Sequence, residues 1–106
     1  MPFMRTYVAD LPGGTATTSV QVTQSQTLRK LTLSWINAAA GKIELSTSAA
    51  SQIGTAQPTD SVVARVSVGA AGQSAVQLDI NLAVKPFQTL YIHQTGAGNL
   101  GTAVIA

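Results

Sequence analysis

The stretch Ala75-Val76-Gln77-Leu78-Asp79-Ile80-Asn81-Leu82-Ala83-Val84 sets Val76, Leu78, Ile80, Leu82 and Val84 on one side of an extended chain. Gln77, Asp79, Asn81 and Ala83 fall on the other side. Successive side chains of a strand point to opposite faces, so this period of two predicts a long, half-buried strand of an antiparallel sheet.

The same alternation returns on either side of it. Val62 to Val68 sets Val62, Ala64, Val66 and Val68 against Val63, Arg65 and Ser67. Thr18 to Gln24 places Val20 and Val22 on one face, and Ile43-Glu44-Leu45-Ser46-Thr47 alternates after Gly41. Beyond Pro86, Thr89 to Gln94 turns Leu90 and Ile92 inward, and Thr102 to Ile105 adds a short final strand. Gly, Pro and Asn punctuate the chain about every ten residues, the spacing of β-sandwiches and barrels. Residues 27–40 read two ways. A strand runs through Leu31, Leu33 and Trp35; a helix runs through Leu28, Leu31, Trp35 and Ile36, with Gly41 as its C-cap. The lack of a capping box and the β-tolerant Thr32, Ser34 and Ile36 favour the strand.

The first 17 residues alternate little and combine Phe3, Met4, Tyr7, Val8 and Leu11 with Pro12-Gly13-Gly14. We therefore divide the chain into an N-terminal arm or edge segment, 1–17, and a β-sandwich domain, 18–106. The segment has three readings: a strand of the same sandwich, an arm that packs on a neighbouring subunit, or a disordered terminus. The arm reading makes Phe3, Met4, Arg5, Tyr7 and Leu11 the candidate interface. It predicts that removing Met1 to Leu11 abolishes attachment to a partner and leaves the fold intact.

Composition excludes several classes of function. Of 106 residues only ten are charged, six basic and four acidic, for a net charge of +2. The pI of about 9.4 therefore reflects scarce acids. Arg5, Arg29, Lys30, Lys42, Arg65 and Lys85 are scattered, without the basic stripe and interleaved aromatics of a nucleic-acid binder. No stretch approaches the ~18 consecutive apolar residues of a membrane span. The start, Met1 to Tyr7, lacks a signal-peptide core, so the expectation is synthesis in a cytoplasm. Without cysteine there is no disulfide, thiolate nucleophile or cysteine-held metal. A surface of Ser, Thr, Gln and Ala repels its own copies weakly, which points to an assembled protein.

A search for chemistry returns little. Gly96-Ala97-Gly98-Asn99-Leu100-Gly101 has the spacing of a dinucleotide fingerprint, but no helix and no acid can follow it, so it reads as a glycine-rich turn between the last two strands. His93 is the only histidine, too few for a two-histidine metal site within one chain. It falls on the polar face of its strand with Thr89 and Tyr91 and reads as a surface residue. Tyr91 and His93 form the candidate exposed contact face. Glu44 and Asp79 take the polar faces of their strands, Asp60 shapes a turn, and Trp35 reads as core rather than as a sugar platform. No serine sits in a nucleophile elbow. No catalytic residue, metal site or cofactor site is assigned, and the expectation is a protein that is not an enzyme.

Residues 76–96, from Val76-Gln77-Leu78 through Lys85-Pro86-Phe87-Gln88 to Tyr91-Ile92-His93-Gln94-Thr95-Gly96, resemble the small jelly-roll and β-sandwich virion proteins of tailed bacteriophages. A long amphipathic strand leads through a turn to a strand ending near Tyr-Ile-His and then to a glycine-rich loop; Phe87 stands where such turns usually carry glycine. The resemblance covers roughly residues 28–105. It implies an all-β fold: one antiparallel, jelly-roll-like sandwich of about seven or eight strands with an extended N-terminal arm. It further implies a capsid decoration or cement protein on the outer surface of a virion, with the major capsid protein as partner and a homotrimer as the favoured assembly. The competing class is a carbohydrate- or receptor-binding module of a phage fibre or spike, motivated by Tyr91, Trp35 and the glycine-rich loop.

Overall fold

Eight strands follow one another along the chain: β1 (Tyr7–Leu11), β2 (Ala16–Gln21), β3 (Gln26–Asn37), β4 (Gly41–Ser46), β5 (Val62–Val68), β6 (Gly72–Val84), β7 (Thr89–Gln94) and β8 (Leu100–Ile105). The structure is a computed structural model that describes residues 4–55, 58–69 and 72–106. The strands form two four-stranded sheets, ordered β1-β8-β3-β6 and β2-β7-β4-β5, and every neighbouring pair is antiparallel. An all-β sandwich of this strand order, with the chain crossing repeatedly between the sheets, is the two-Greek-key jelly roll.

The inward positions of both sheets make one core. Leu28, Leu31, Leu33, Leu45, Leu90, Ile92 and Ile105 are each at most 1% exposed, and burying each such side chain contributes about 1.5–3 kcal/mol. Residues 27–37 are strand. The helix-like spacing of Leu28 and Leu31 comes from an irregularity: the β3–β6 register shifts between Leu28 and Lys30. Arg29 and Lys30 both turn outward there, and both of their N–H groups donate to the Ala106 carbonyl. Two consecutive outward residues reset the alternation, which is what a bulge does.

The N-terminal segment is a strand from Tyr7 onward, at the edge of the first sheet. β1 pairs with β8 along its whole length. Tyr7, Ala9 and Leu11 enter the core and Val8 is 61% exposed. Small Ala9 and outward Val8 are what hid the alternation. Tyr7 and Leu11, expected at an interface, are core residues, so deleting residues 1–11 removes a strand and three core side chains. Met4 and Arg5 are exposed, and Phe3 lies outside the described residues. The boundary expected after residue 17 falls inside β2.

The two flanks of the sandwich differ. Between β1 and the chain leaving β2, the Tyr7 hydroxyl accepts from the Thr23 N–H at 3.0 Å, and the Thr18 hydroxyl donates to the Asp10 carbonyl at 3.3 Å. β5 and β6 belong to different sheets and form no ladder with each other. Ala64 and Val66 of β5, and Val76, Leu78, Ile80 and Leu82 of β6, pack on the core but remain only half-buried.

Candidate functional site

Strand register lines up Thr17, His93, Glu44 and Arg65 across the outer face of the second sheet. Alternation predicts this outward phase correctly and predicts exposure wrongly. His93 is 1% exposed and Glu44 is 0% exposed, because the β4–β5 connection folds back over the row. His93 Nδ1 lies 2.8 Å from the Thr17 hydroxyl, and Nε2 lies 2.9 Å from the Ser48 carbonyl. A carbonyl only accepts, so Nε2 carries the proton, and in the neutral ring Nδ1 accepts from Thr17. Glu44 Oε1 accepts the Gln52 N–H at 3.1 Å, and Oε2 pairs with Arg65 Nε at 3.1 Å. The rest of the Arg65 guanidinium donates to the carbonyls of Thr55 and Gln52.

His93 is therefore not part of an exposed contact face, and Glu44 is not a solvated carboxylate. Tyr91 is half-buried, its ring parallel to His93 with centroids 6.2 Å apart. Each ring nitrogen and each carboxylate oxygen of the row already holds a partner in the chain, and their joint effect is to fasten a loop. The cavity beside His93, lined by Thr15, Thr17, Ser51 and Gln94 among others, measures about 170 Å³; drug-sized ligands occupy roughly 300–1,000 Å³. Among the described residues no group of three or more His, Asp and Glu could hold a metal ion. Trp35 is 6% exposed and lies in the core.

A second polar cluster closes one end of the sandwich. Asn99 Oδ1 accepts the N–H groups of Ala38 and Ala39 at 2.7 and 3.0 Å, and Nδ2 donates to the Ala39 carbonyl at 2.8 Å. Buried Gln94 donates to the Asn99 carbonyl at 3.0 Å and accepts from the Gly13 N–H at 3.3 Å. Three connections are thus tied together; of the fingerprint-like glycines, Gly96 and Gly98 form the turn between β7 and β8, and Gly101 lies in β8. Gly96 has φ +109° and runs so close to the Asn99 side-chain amide that a Cβ would collide with it. Gln94 shares the inward phase of Leu90 and Ile92 and is buried with them, whereas no alternation marks Asn99. The one available signal is an asparagine in a glycine-rich turn, where it bonds to backbone.

At the opposite end the β6–β7 turn is tied to the chain leaving β2: the Phe87 N–H donates to the Val22 carbonyl at 2.8 Å and the Val22 N–H to the Gln88 carbonyl at 2.9 Å. Gln88 N–H donates to the Lys85 carbonyl at 3.1 Å, and Phe87 has φ +67°. Pro at the second position and a positive φ at the third define a type II turn, whose third position favours glycine. An L-residue held left-handed there costs about 1–2 kcal/mol. Phe87 is nevertheless 74% exposed, so core packing does not hold it in place. Exposed Lys85 belongs to this turn, and exposed Met4 and Arg5 precede β1 at the same end, where Gln26 at the start of β3 pairs with Val84 at the end of β6. Arg5 is placed there by its backbone hydrogen bonds to the Gln26 side chain.

The fold and its polar clusters define a jelly-roll sandwich whose interior polar groups serve its own loops. No known protein family matches the chain, and no curated protein matches it in sequence.

Proposed function

We propose that this is a non-enzymatic structural protein of a virion, a decoration or cement protein that binds the outer surface of an assembled capsid and stabilises it. Phe87 carries the reading. A large aromatic, solvent-exposed and held in a backbone conformation that glycine would adopt more readily, is retained at a cost to the free protein. Strained residues of this kind concentrate where a partner is engaged. The cations beside it suit an acidic patch on the coat protein, with an apolar socket for the ring. Met4 and Arg5, the exposed part of the candidate interface, lie at the same end. Jelly rolls recur in virus shells, which supports the reading by analogy of fold. A protein that binds only the assembled lattice stabilises it by mass action.

The test is co-sedimentation with shells built from the coat protein of the same genome, comparing the wild type with Phe87→Gly. The wild type pellets with shells to a fixed stoichiometry. The variant unfolds at equal or higher denaturant, by up to about 1 kcal/mol, since relief of strain exceeds the entropy glycine adds to the unfolded chain. It binds at least tenfold more weakly. A wild type that stays in the supernatant refutes the proposal.

A further inference from the structure

We infer that the β5–β6 flank is where a second copy of this chain docks, the β6 strands of the two copies running antiparallel across a two-fold axis. β6 is 13 residues long, pairs only with β3, and so presents half of its backbone donors and acceptors along an unpaired edge. Natural edge strands are blunted by proline, by lysine, by inward-pointing charge or by a covering loop. Between Gly72 and Val84 there is no proline and no lysine, and the single charge, Asp79, points outward opposite Lys30 in register. On β5 the one charge, Arg65, is turned away onto Glu44. Beneath the edge runs the half-buried row Val76, Leu78, Ile80 and Leu82, with Ala64 and Val66 facing it. The other flank, with Tyr7, Leu11 and Val22 buried, shows what a closed flank of this sandwich looks like.

The occupant is a second copy because the flank complements itself. An antiparallel strand pairs with its own image about a two-fold, and an isologous contact sets the same apolar row against itself; the one charge on the strand, Asp79, has Lys30 opposite it in its own sheet to offset the approach of its copy. The edge is also long enough to register against its own image: 13 residues at ~3.3 Å each span about 43 Å, twice the length of a usual strand of five or six residues. The inference rests on the fold alone and holds whether or not the protein binds shells.

The chain has no native cysteine, so single cysteines can be placed at the outward positions Ala75, Gln77, Asp79, Asn81 and Ala83, spin-labelled, and the label-to-label separation measured by pulsed dipolar spectroscopy. In a two-fold antiparallel pair, each residue moved from the axis carries both copies away by ~3.3 Å in opposite directions. The separation therefore passes through one minimum along β6 and rises by about 6–7 Å per residue on either side of it, while light scattering gives an even number of chains. A mass of one or three chains at every concentration overturns the inference, as does a separation that shows no minimum along the strand.

Discussion

Arg65→Met tests the reading of the roofed polar row most directly. The substitution keeps the aliphatic stem and removes the guanidinium paired with Glu44, a carboxylate that is 0% exposed, whereas the Arg65 side chain is 29% exposed. The carboxylate is left with the Gln52 N–H alone, and the carbonyls of Gln52 and Thr55 lose their donor. Removing one partner of a buried pair costs about 3–5 kcal/mol, mostly for stranding the other charge. The partial exposure of Arg65 sets the expectation at the lower end, ~3 kcal/mol. For a domain of this size that is a fall in Tm of about 12 °C or more. Urea unfolding followed by the fluorescence of Trp35, the one tryptophan, reads the stability. Limited proteolysis reads the loop, with new cleavage expected between residues 47 and 61. The double variant Glu44→Gln/Arg65→Met keeps an acceptor for Gln52 and strands no charge, so it recovers at least half of the loss. A single variant within about 1 kcal/mol of wild type, or a double variant no better than the single, refutes the argument that the pair holds the loop down.

Three further expectations concern the frame around that row. Gly101→Ala sets a Cβ against the Ser34 carbonyl and 2.6 Å from Trp35 Cβ; both are parts of paired strands, so the variant loses about 3 kcal/mol in a denaturant titration. Asn99→Ala removes three side-chain hydrogen bonds from the 38–39 turn and costs about 2–4 kcal/mol, with faster amide exchange at Ala38 and Ala39 as its local signature. Trp35→Phe is mild. The indole N–H is buried with no partner among the described residues, so its removal returns part of the desolvation cost and holds the net loss to about 1 kcal/mol by circular dichroism melting.

The strands were legible because burial is one-sided along most of them. β6 and β7 show their period in plain sequence, and even Leu28–Leu31, which imitates a helix turn, becomes strand once Arg29 and Lys30 both point outward. The order of the strands was beyond the reach of alternation, which states which way a side chain points and not which strand lies beside it. The site fared differently. His93 and Glu44 take the outward phase that alternation assigns, yet both are buried, since exposure depends on whether something else covers the face. That cover comes from residues 47–55, rich in Ser, Thr and Ala and without a period of their own. Its contacts run through backbone groups, such as the Ser48 and Gln52 carbonyls and the Gln52 N–H, and these are the same whatever residue supplies them. No residue pattern encodes them.

The four sides of the sandwich then divide by how each disposes of its strands. The outer face of the second sheet is roofed by the chain's own loop, and the β1–β2 flank is tied by hydrogen bonds. The outer face of the first sheet pairs Val8 with Val104 and Ile36 with Leu100 among exposed polar and charged residues such as Asp10, Lys30 and Asp79. The β5–β6 flank stays open. A chain with ten charged residues has little repulsion with which to keep two such surfaces apart. The docking inferred above uses a side that the chain leaves uncovered, and at the unpaired β6 edge backbone hydrogen bonds would give it direction.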